Sequence, residues 1–273
     1  MNQFSEKSTK NIFKKYRIQP LKRLGQNFLI DKAAIKKIIE ASNLNSDDIV
    51  LEIGPGSGVL TKELASKIQK VVAIEKDYKM IEILKEELKD FNNIEIIQGD
   101  ILKNKTFKIK DYKVIGNLPF YLTAPVIRQF LEADNPPKEM ILVVQKEVGQ
   151  RICAKPPKMS ILANSVQFYA KPEIISYISK KSFWPSPKVD SAIIKISKKP
   201  LLASKIDRNL FFKVVKAGFS QPRKQLINNL SKGLKIEREN IKKWLLINKI
   251  QPSQRAETLN VEDWVNLTQN FNF

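Results

Sequence analysis

Between residues 30 and 145 the apolar positions follow two alternating rhythms. In "IDKAAIKKIIEAS", Ile30, Ala34, Ile38 and Ala41 recur at helical intervals, and Asp31 stands near the N-terminus of the predicted helix. The next run, "DIVLEIG", is apolar over strand length and stops at a glycine. The alternation then continues. "VLTKELASKI" predicts a helix, "KVVAIEKD" a strand ending in acid, and "YKMIEILKEELKDF" a helix with Ile81, Leu84 and Leu88 on one face. "IEIIQGD" (94–100), "YKVIGN" (112–117) and "MILVVQ" (140–145) predict further buried strands. Strands that alternate with helices point to an α/β fold, a parallel sheet covered on both faces.

The pattern changes further along. "SVQFYA" (165–170) and "SAIIKIS" (191–197) read as strands, separated by the Pro-rich "SFWPSPKVD". After "KKPLLASK" the periodicity is helical throughout, in "NLFFKVVKAGF", "KQLINNLSKGL", "RENIKKWLLINK" and "VEDWVNLTQNF". A boundary is therefore expected near 199–205. The predicted organisation is a basic, flexible tail over 1–21, an α/β domain over 22–200 and a small all-helical domain over 201–273. No internal repeat is visible.

Composition narrows the chemistry. With 273 residues, 42% hydrophobic and 28% charged, the chain has the make-up of a globular protein able to bury a core. It holds no run of about 18 apolar residues, so no membrane span is expected. Its N-terminus lacks the apolar stretch of a secretory signal, and a cytoplasmic location is expected. Forty-eight basic against 28 acidic residues give a net charge of +20, which attracts polyanions. No strongly amphipathic helix with Trp or Phe opposite Lys stands out, so nucleic acid is favoured over a membrane surface, although a Lys-rich surface can also follow from genome composition. There is no histidine, hence no imidazole base and no His metal site, and the single Cys153 excludes an intrachain disulfide or a Cys-rich zinc cluster. Neither a covalent nor a metal-dependent mechanism is expected.

"LEIGPGSGVLTKEL" sets a strand, then Gly54, Gly56 and Gly58 at alternate positions, then a helix. Glycines there permit a tight turn and close approach of backbone N–H groups to a ligand. Twenty-one residues after Gly54 the next strand ends in Glu75, followed by Lys76 and Asp77. An acid at that tip suits acceptance from two ribose hydroxyls. A glycine cluster alone also fits a plain turn, but Glu75 at this distance makes a nucleoside ligand the better explanation. The spacing suits a dinucleotide or S-adenosylmethionine, and the missing G-x-G-x-x-G order favours S-adenosylmethionine. Asp100, in "QGDIL", stands at a third strand end, where it can accept from an adenine amino group or, alternatively, cap the next segment.

The strand "YKVIGN" closes on Asn117-Leu118-Pro119-Phe120. An adenine exocyclic amine is a weak nucleophile because its lone pair is delocalised into the ring. Two acceptors aimed at its N–H groups would favour a pyramidal nitrogen and free that pair. The Asn117 side-chain oxygen can be one, and the Leu118 carbonyl the other, since Pro119 biases residue 118 to an extended conformation. Phe120 then offers a face for the flipped base, worth about 1–3 kcal/mol. A methyl donor held in line within about 3–3.5 Å needs no strong base, so the lack of histidine is compatible with this chemistry. Taken alone, the tetrapeptide also reads as an Asx turn that ends a strand.

Together "LGQNFLID", "LEIGPGSGVLT", "AIEKD", "GDIL", "GNLPFYLTAPVI", "FWPSPKVDSAII" and "GFSQPRKQLINNL" resemble the rRNA adenine N6,N6-dimethyltransferases, in the family's order and over roughly residues 20 to 235. They are most similar to the small-subunit (16S) type associated with kasugamycin sensitivity. The resemblance implies a Rossmann-like class I S-adenosylmethionine-dependent methyltransferase domain followed by a helical RNA-contacting domain. It implies dimethylation of two adjacent adenines in the 3′-terminal hairpin of 16S rRNA, with a role in small-subunit biogenesis. It adds Asn27 and Leu29 to Gly54, Glu75, Asp100 and Asn117 around the cofactor, where the residues themselves predict only a loop before a helix. It implies that Phe183 helps to sandwich the adenine, with core packing as the alternative, and that Arg223 and Lys224, opening a helix, lie near phosphates, with a solvated basic face as theirs.

Two departures stand out. The family's tetrapeptide usually ends in Tyr where this chain has Phe120, and "AKPPKMS" (154–160) looks shorter than the family's loop. The competing readings are a 23S rRNA adenine N6-methyltransferase of the macrolide-resistance type, which tends to carry Asn at the position of Asp190, a DNA adenine methyltransferase, and a ribosome-assembly factor that binds RNA without methyl transfer. Nothing demands a dimer, and a monomer bound to 16S rRNA in the small ribosomal subunit is expected.

Overall fold

The computed structural model describes residues 6–103, 109–199 and 206–273. The expected boundary at 199–205 lies, apart from Lys199, outside the described residues. In chain order the elements are α1 (Glu6–Lys15), β1 (Phe28–Leu29), α2 (Lys32–Ala41), β2 (Ile49–Ile53), α3 (Val59–Ala65), β3 (Lys70–Glu75), α4 (Tyr78–Glu87), β4 (Ile94–Gln98), β5 (Tyr112–Asn117), α5 (Thr123–Leu131) and β6 (Glu139–Gln145). They continue with α6 (Lys146–Ile152), α7 (Ile161–Gln167), β7 (Ala170–Ile178), β8 (Phe183–Trp184), β9 (Ser191–Lys198), α8 (Arg208–Gly218), α9 (Leu226–Leu234), α10 (Arg238–Ile247) and α11 (Val261–Gln269).

Seven strands form one sheet in the order β4-β3-β2-β5-β6-β9-β7, and β1 and β8 form a separate antiparallel ribbon. β4, β3, β2, β5 and β6 run parallel, and helices α3, α4 and α5 connect β2 to β3, β3 to β4 and β5 to β6, while no helix lies between β4 and β5 among the described residues. The sheet is nonetheless mixed, because β9 pairs antiparallel with β6, Ser191 opposite Gln145 and Ser197 opposite Glu139. A strand buried on both faces reads the same in either direction, so its apolar run could not report the reversal. One face of the sheet packs on α2 and α3, where Ala34, Ile35, Ile38, Val50, Leu64, Ile115 and Ile141 share a buried cluster. The predicted stripe of α4 (Ile81, Leu84, Leu88) is buried as a second cluster.

Two elements differ from the sequence pattern. "SVQFYA" is not a strand: Ser165–Gln167 finish α7, whose N-terminus is capped by Ser160 and whose Ala163 and Val166 are buried at helical spacing. The strand is instead "AKPEIISYI", alternately buried and exposed at the end of the sheet. Its Lys, Pro and Glu mask it in the sequence, and an edge is where a strand proline is tolerated. Residues 6–15, predicted to belong to a flexible tail, form helix α1. Its Phe13 is buried with Phe28, Met80 and Ile83, its ring edge-on to Phe28 at 4.8 Å and to Trp184 at 5.1 Å. Burial of such a ring is worth about 1.5–3 kcal/mol, enough to hold a short polar helix whose own propensity is marginal.

The chain forms two compact units, Met1–Gly149 with Glu173–Lys198, and Gln150–Pro172 with Lys199–Phe273. The second takes in residues 150–172, which the sequence pattern assigns to the α/β domain. Phe168 explains the difference: it stacks on Phe211 at 4.1 Å within a core that also holds Leu226, Trp244 and Trp264.

Candidate active site

The carboxyl ends of β2, β3, β4 and β5 are level. Ile53 pairs with Ile74 and Gly116, and Glu75 pairs with Gln98. The loops that follow them therefore open on one side, at the point where strand order reverses between β2 and its neighbours β3 and β5. They surround a single cavity. Asn27, Leu29, Gly54, Gly56, Glu75, Asp100, Asn117, Leu118, Pro119, Phe120 and Phe183 all line it, so eleven residues singled out across some 150 positions of sequence meet there.

The glycine loop has the conformations that require glycine. Gly54 and Gly56 have φ of +67° and +55°. A Cβ on Gly54 would meet no atom within 4 Å, leaving its face open, whereas one on Gly56 would press within 3.0 Å of the Phe28 ring. Gly56 N donates to Glu75 Oε2 at 3.3 Å, and Lys76 N and Asp77 N donate to Glu75 Oε1 at 2.8 and 2.9 Å. Burial pushes the Glu75 carboxyl above its ordinary range, and these N–H groups act against that rise. Asp100 accepts from Lys76 Nζ at 2.9 Å and from Leu102 N at 3.0 Å, so it caps the next turn while it lines the cavity. The Lys76 ammonium holds its carboxyl below the usual range, and Asp100 is a carboxylate at neutral pH.

At the end of β5, Asn117 Nδ2 donates to the Asn27 carbonyl at 2.8 Å, and Asn27 Nδ2 to the Gly25 carbonyl at 3.0 Å. The amide nitrogen of Asn117 is thus committed to the protein, which turns its Oδ1 away as an acceptor. Leu118 N donates to Val143 O at 3.3 Å, while the Leu118 carbonyl takes no backbone hydrogen bond among the described residues. Pro119 is extended (φ −52°, ψ 137°) and opens a tight turn closed by Leu122 N on Pro119 O at 2.8 Å. Phe120 is half-buried within that turn. Asn117, Leu118 and Phe120 thus line the cavity side by side, with no hydrogen bond given to the Asn117 side-chain oxygen or, from backbone, to the Leu118 carbonyl among the described residues.

The family model for ribosomal RNA adenine dimethylase matches residues 19–272. This chain belongs to that family. It is 41% identical over 263 residues to a ribosomal RNA small subunit methyltransferase A from Dehalococcoides mccartyi, covering 94% of this chain and 90% of that protein. Among solved structures it is similar to a dimethyladenosine transferase from Plasmodium falciparum (TM-score 0.76, 28% identity, 88% of this chain and 95% of that one). It is also similar to the 23S rRNA methyltransferase ErmE (TM-score 0.75, 25% identity, 89% of this chain and 99% of that one).

In this dimethylase the β1–β8 ribbon lines the cavity through Phe28, Leu29 and Phe183, with Leu29 opposite Phe183 and Phe28 opposite Trp184. Gln26 fixes its approach, accepting from Leu21 N at 2.7 Å and donating to Asp77 Oδ2 at 2.8 Å. Ser182 Oγ donates to Asp31 Oδ2, tying β8 to the cap of α2. Phe183 is 4% exposed and belongs to the hydrophobic core beside the cavity, so it serves packing as well as lining. Arg223 and Lys224 are exposed in the turn before α9 rather than in the helix itself, and they belong to the second compact unit.

Sequence reasoning missed Glu52, Lys76 and Tyr121, which also line the cavity. Glu52 sits inside an apolar strand and is 1% exposed, with no hydrogen-bond partner for Oε2. A carboxylate embedded in "IVLEI" was the available signal, since an acid in a buried strand needs a reason. Among the described residues of the dimethylase no group of three or more His, Cys, Asp or Glu is arranged to hold a metal, and no helix is long and apolar enough to cross a membrane.

Proposed function

We propose that this protein transfers methyl groups from S-adenosylmethionine to the N6 amine of two adjacent adenines in the 3′-terminal hairpin of 16S rRNA, giving N6,N6-dimethyladenines. The hydrogen bond from Asn117 Nδ2 to the Asn27 carbonyl carries the reading, because it leaves the Asn117 oxygen as the acceptor that an adenine amine requires. The small-subunit name of relatives about 40% identical supports the choice of RNA. The 25% identity to a 23S rRNA methyltransferase of similar fold keeps large-subunit RNA as the second reading.

The residues present fit the cofactor. The open face of Gly54 admits a ligand close to the backbone, and Glu75, already held by three N–H groups, keeps acceptor capacity for ribose hydroxyls. Asp100, ionised, accepts from an adenine amino group, and Asn27 and Leu29 close the site from the ribbon. When bound, S-adenosylmethionine supplies an electrophilic methyl group. Asn117 Oδ1 and the Leu118 carbonyl hold the target amine by its two N–H groups and direct its lone pair, and Phe120 supports the base. The ring at position 120 acts through its face, since it has no hydroxyl. Arg223 and Lys224 act from the helical unit on phosphates, and the protein works in the cytoplasm as a monomer in small-subunit biogenesis.

Labelled S-adenosylmethionine offered with unmethylated small subunits, large subunits or DNA tests the proposal. Label in N6,N6-dimethyladenosine of small-subunit RNA is expected. Label confined to large-subunit RNA would select the second reading, and none on any substrate would leave an RNA-binding assembly factor.

A further inference from the structure

The residue after the tetrapeptide has no part in the chemistry above, yet its position is unusual. Tyr121 lines the same cavity and is 53% exposed, one of the few large aromatic side chains turned to solvent among the described residues. Its backbone is fixed by the turn that closes with Leu122 N on Pro119 O, so the ring stands next to Phe120 at the rim. Gly25 lies beneath it: a Cβ there would come within 3.3 Å of Pro119 Cβ and 3.9 Å of Tyr121 Cε1. Lys76, half-exposed and anchored to Asp100 at 2.9 Å, also lines the cavity, and the exposed Arg23 directly precedes Leu24, another lining residue.

We infer that Tyr121, Lys76 and Arg23 form a second subsite, a seat for the nucleotide next to the target adenine, with Tyr121 stacking on its base and the cations facing its phosphate. The inference rests on the RNA adenine reading given above. A base drawn into the cavity leaves its neighbour unstacked on one side, and an exposed aromatic ring at the mouth replaces the lost partner. Stacking on an aromatic face tolerates any base, while the cations supply the contact to the backbone. An acidic or bare apolar rim would offer one of these interactions or neither. The arrangement also explains why an apolar ring stays exposed at this point, where burial would remove it from the nucleotide.

The test is a cycle between protein and RNA. Tyr121→Ala is expected to raise KM for unmethylated small subunits about tenfold, the equivalent of about 1.4 kcal/mol of stacking, with S-adenosylmethionine affinity unchanged. Tyr121→Phe should behave as the parent protein, because the face and not the hydroxyl is used. Subunits reconstituted with an abasic site beside the target adenine should cost the parent protein a similar factor and cost Tyr121→Ala nothing more. Arg23→Gln should lower the slope of log K against log salt by about 0.7–0.9, one phosphate contact. Additive losses in the cycle, or a Phe variant as weak as the Ala variant, would overturn the subsite while the parent protein still methylates its RNA. A parent protein that methylates no adenine would instead overturn the reading on which the subsite rests.

Discussion

Glu52→Gln separates a buried acid from its proton. Glu52 is 1% exposed, its Oε2 is unpartnered, and the neighbouring Thr61 hydroxyl is unpartnered as well. Burial pushes its carboxyl from an ordinary 4.5 up to about 8, the nearby Thr61 hydroxyl acts against the rise, and the Glu75 carboxylate adds to it. The folded pKa lies above the unfolded one, so between these values the native state holds a proton that the unfolded chain has released. Stability from this group is therefore fully present below the unfolded pKa and is lost as pH rises through the folded one, at about 1.4 kcal/mol per pH unit across the window. From pH 6 to pH 8 the ligand-free parent protein should lose about 2 kcal/mol relative to Glu52→Gln, which has no proton to give up. Native-state hydrogen exchange of the β2 and β3 amides reads the opening free energy of this unit, and comparison at each pH cancels the intrinsic exchange rates. The large positive charge of the chain is common to both proteins, so the difference reports Glu52 together with its coupling to Glu75. A gap that stays constant from pH 6 to pH 8 would refute the assignment of a neutral, buried carboxyl.

Four further substitutions address the site and the β1–β8 ribbon. Asn117→Ala removes the acceptor but not the surface that meets RNA, so single-turnover methyl transfer should fall by about 10²- to 10³-fold with RNA affinity largely kept; a matching loss of affinity would show that Asn117 binds rather than activates. Phe120→Tyr should retain activity in the same assay, since stacking needs only the face, and a dead variant would mean that no phenol fits. Gly54→Ala places a methyl group on the open side of the loop at φ +67°, so calorimetry should find S-adenosylmethionine bound at least about tenfold more weakly, with about 1–2 kcal/mol of backbone strain. Phe13→Ala should cost about 3 kcal/mol in the packing of α1 and expose the β1–β8 ribbon to proteolysis near Phe28, as limited digestion would read out.

The site was legible where chemistry and strand ends coincide. Gly54, Glu75, Asp100 and Asn117 each terminate a strand in the sequence, and the parallel ladder brings those ends level without further information. Asn27 and Leu29 were not legible from the residues themselves, because their place depends on a two-residue ribbon that forms only when Phe183 and Trp184 return from 150 positions away. α1 escaped for a related reason: its single strong anchor, Phe13, gains meaning only when Phe28 and Trp184 are beside it. β7 and the direction of β9 escaped because an edge strand tolerates polar residues and a buried strand carries no mark of its orientation. Glu52 went unread although an acid inside an apolar strand is an anomaly, and only the folded structure places it in the cavity lining.

The electrostatics of the molecule set two opposite tasks. The chain carries a net charge of +20, while the carboxylate of Asp100 lines one cavity together with Glu75 and the neutral Glu52. A phosphodiester is drawn to the surface and repelled from the pocket, so the RNA can offer a base to the cavity and not its backbone. A cationic ligand experiences the reverse. The two attractions also differ in how solvent treats them: exposed charges are screened over about 8–10 Å at physiological ionic strength, whereas a buried carboxylate is screened much less. Rising salt therefore erodes the hold on RNA before it weakens the pocket. Lys76 stands at the border of the two regions. Its ammonium lowers the Asp100 carboxyl further below its ordinary value and at the same time presents positive charge at the rim, so one side chain serves the acidic interior and the basic exterior without bringing a phosphate into the pocket.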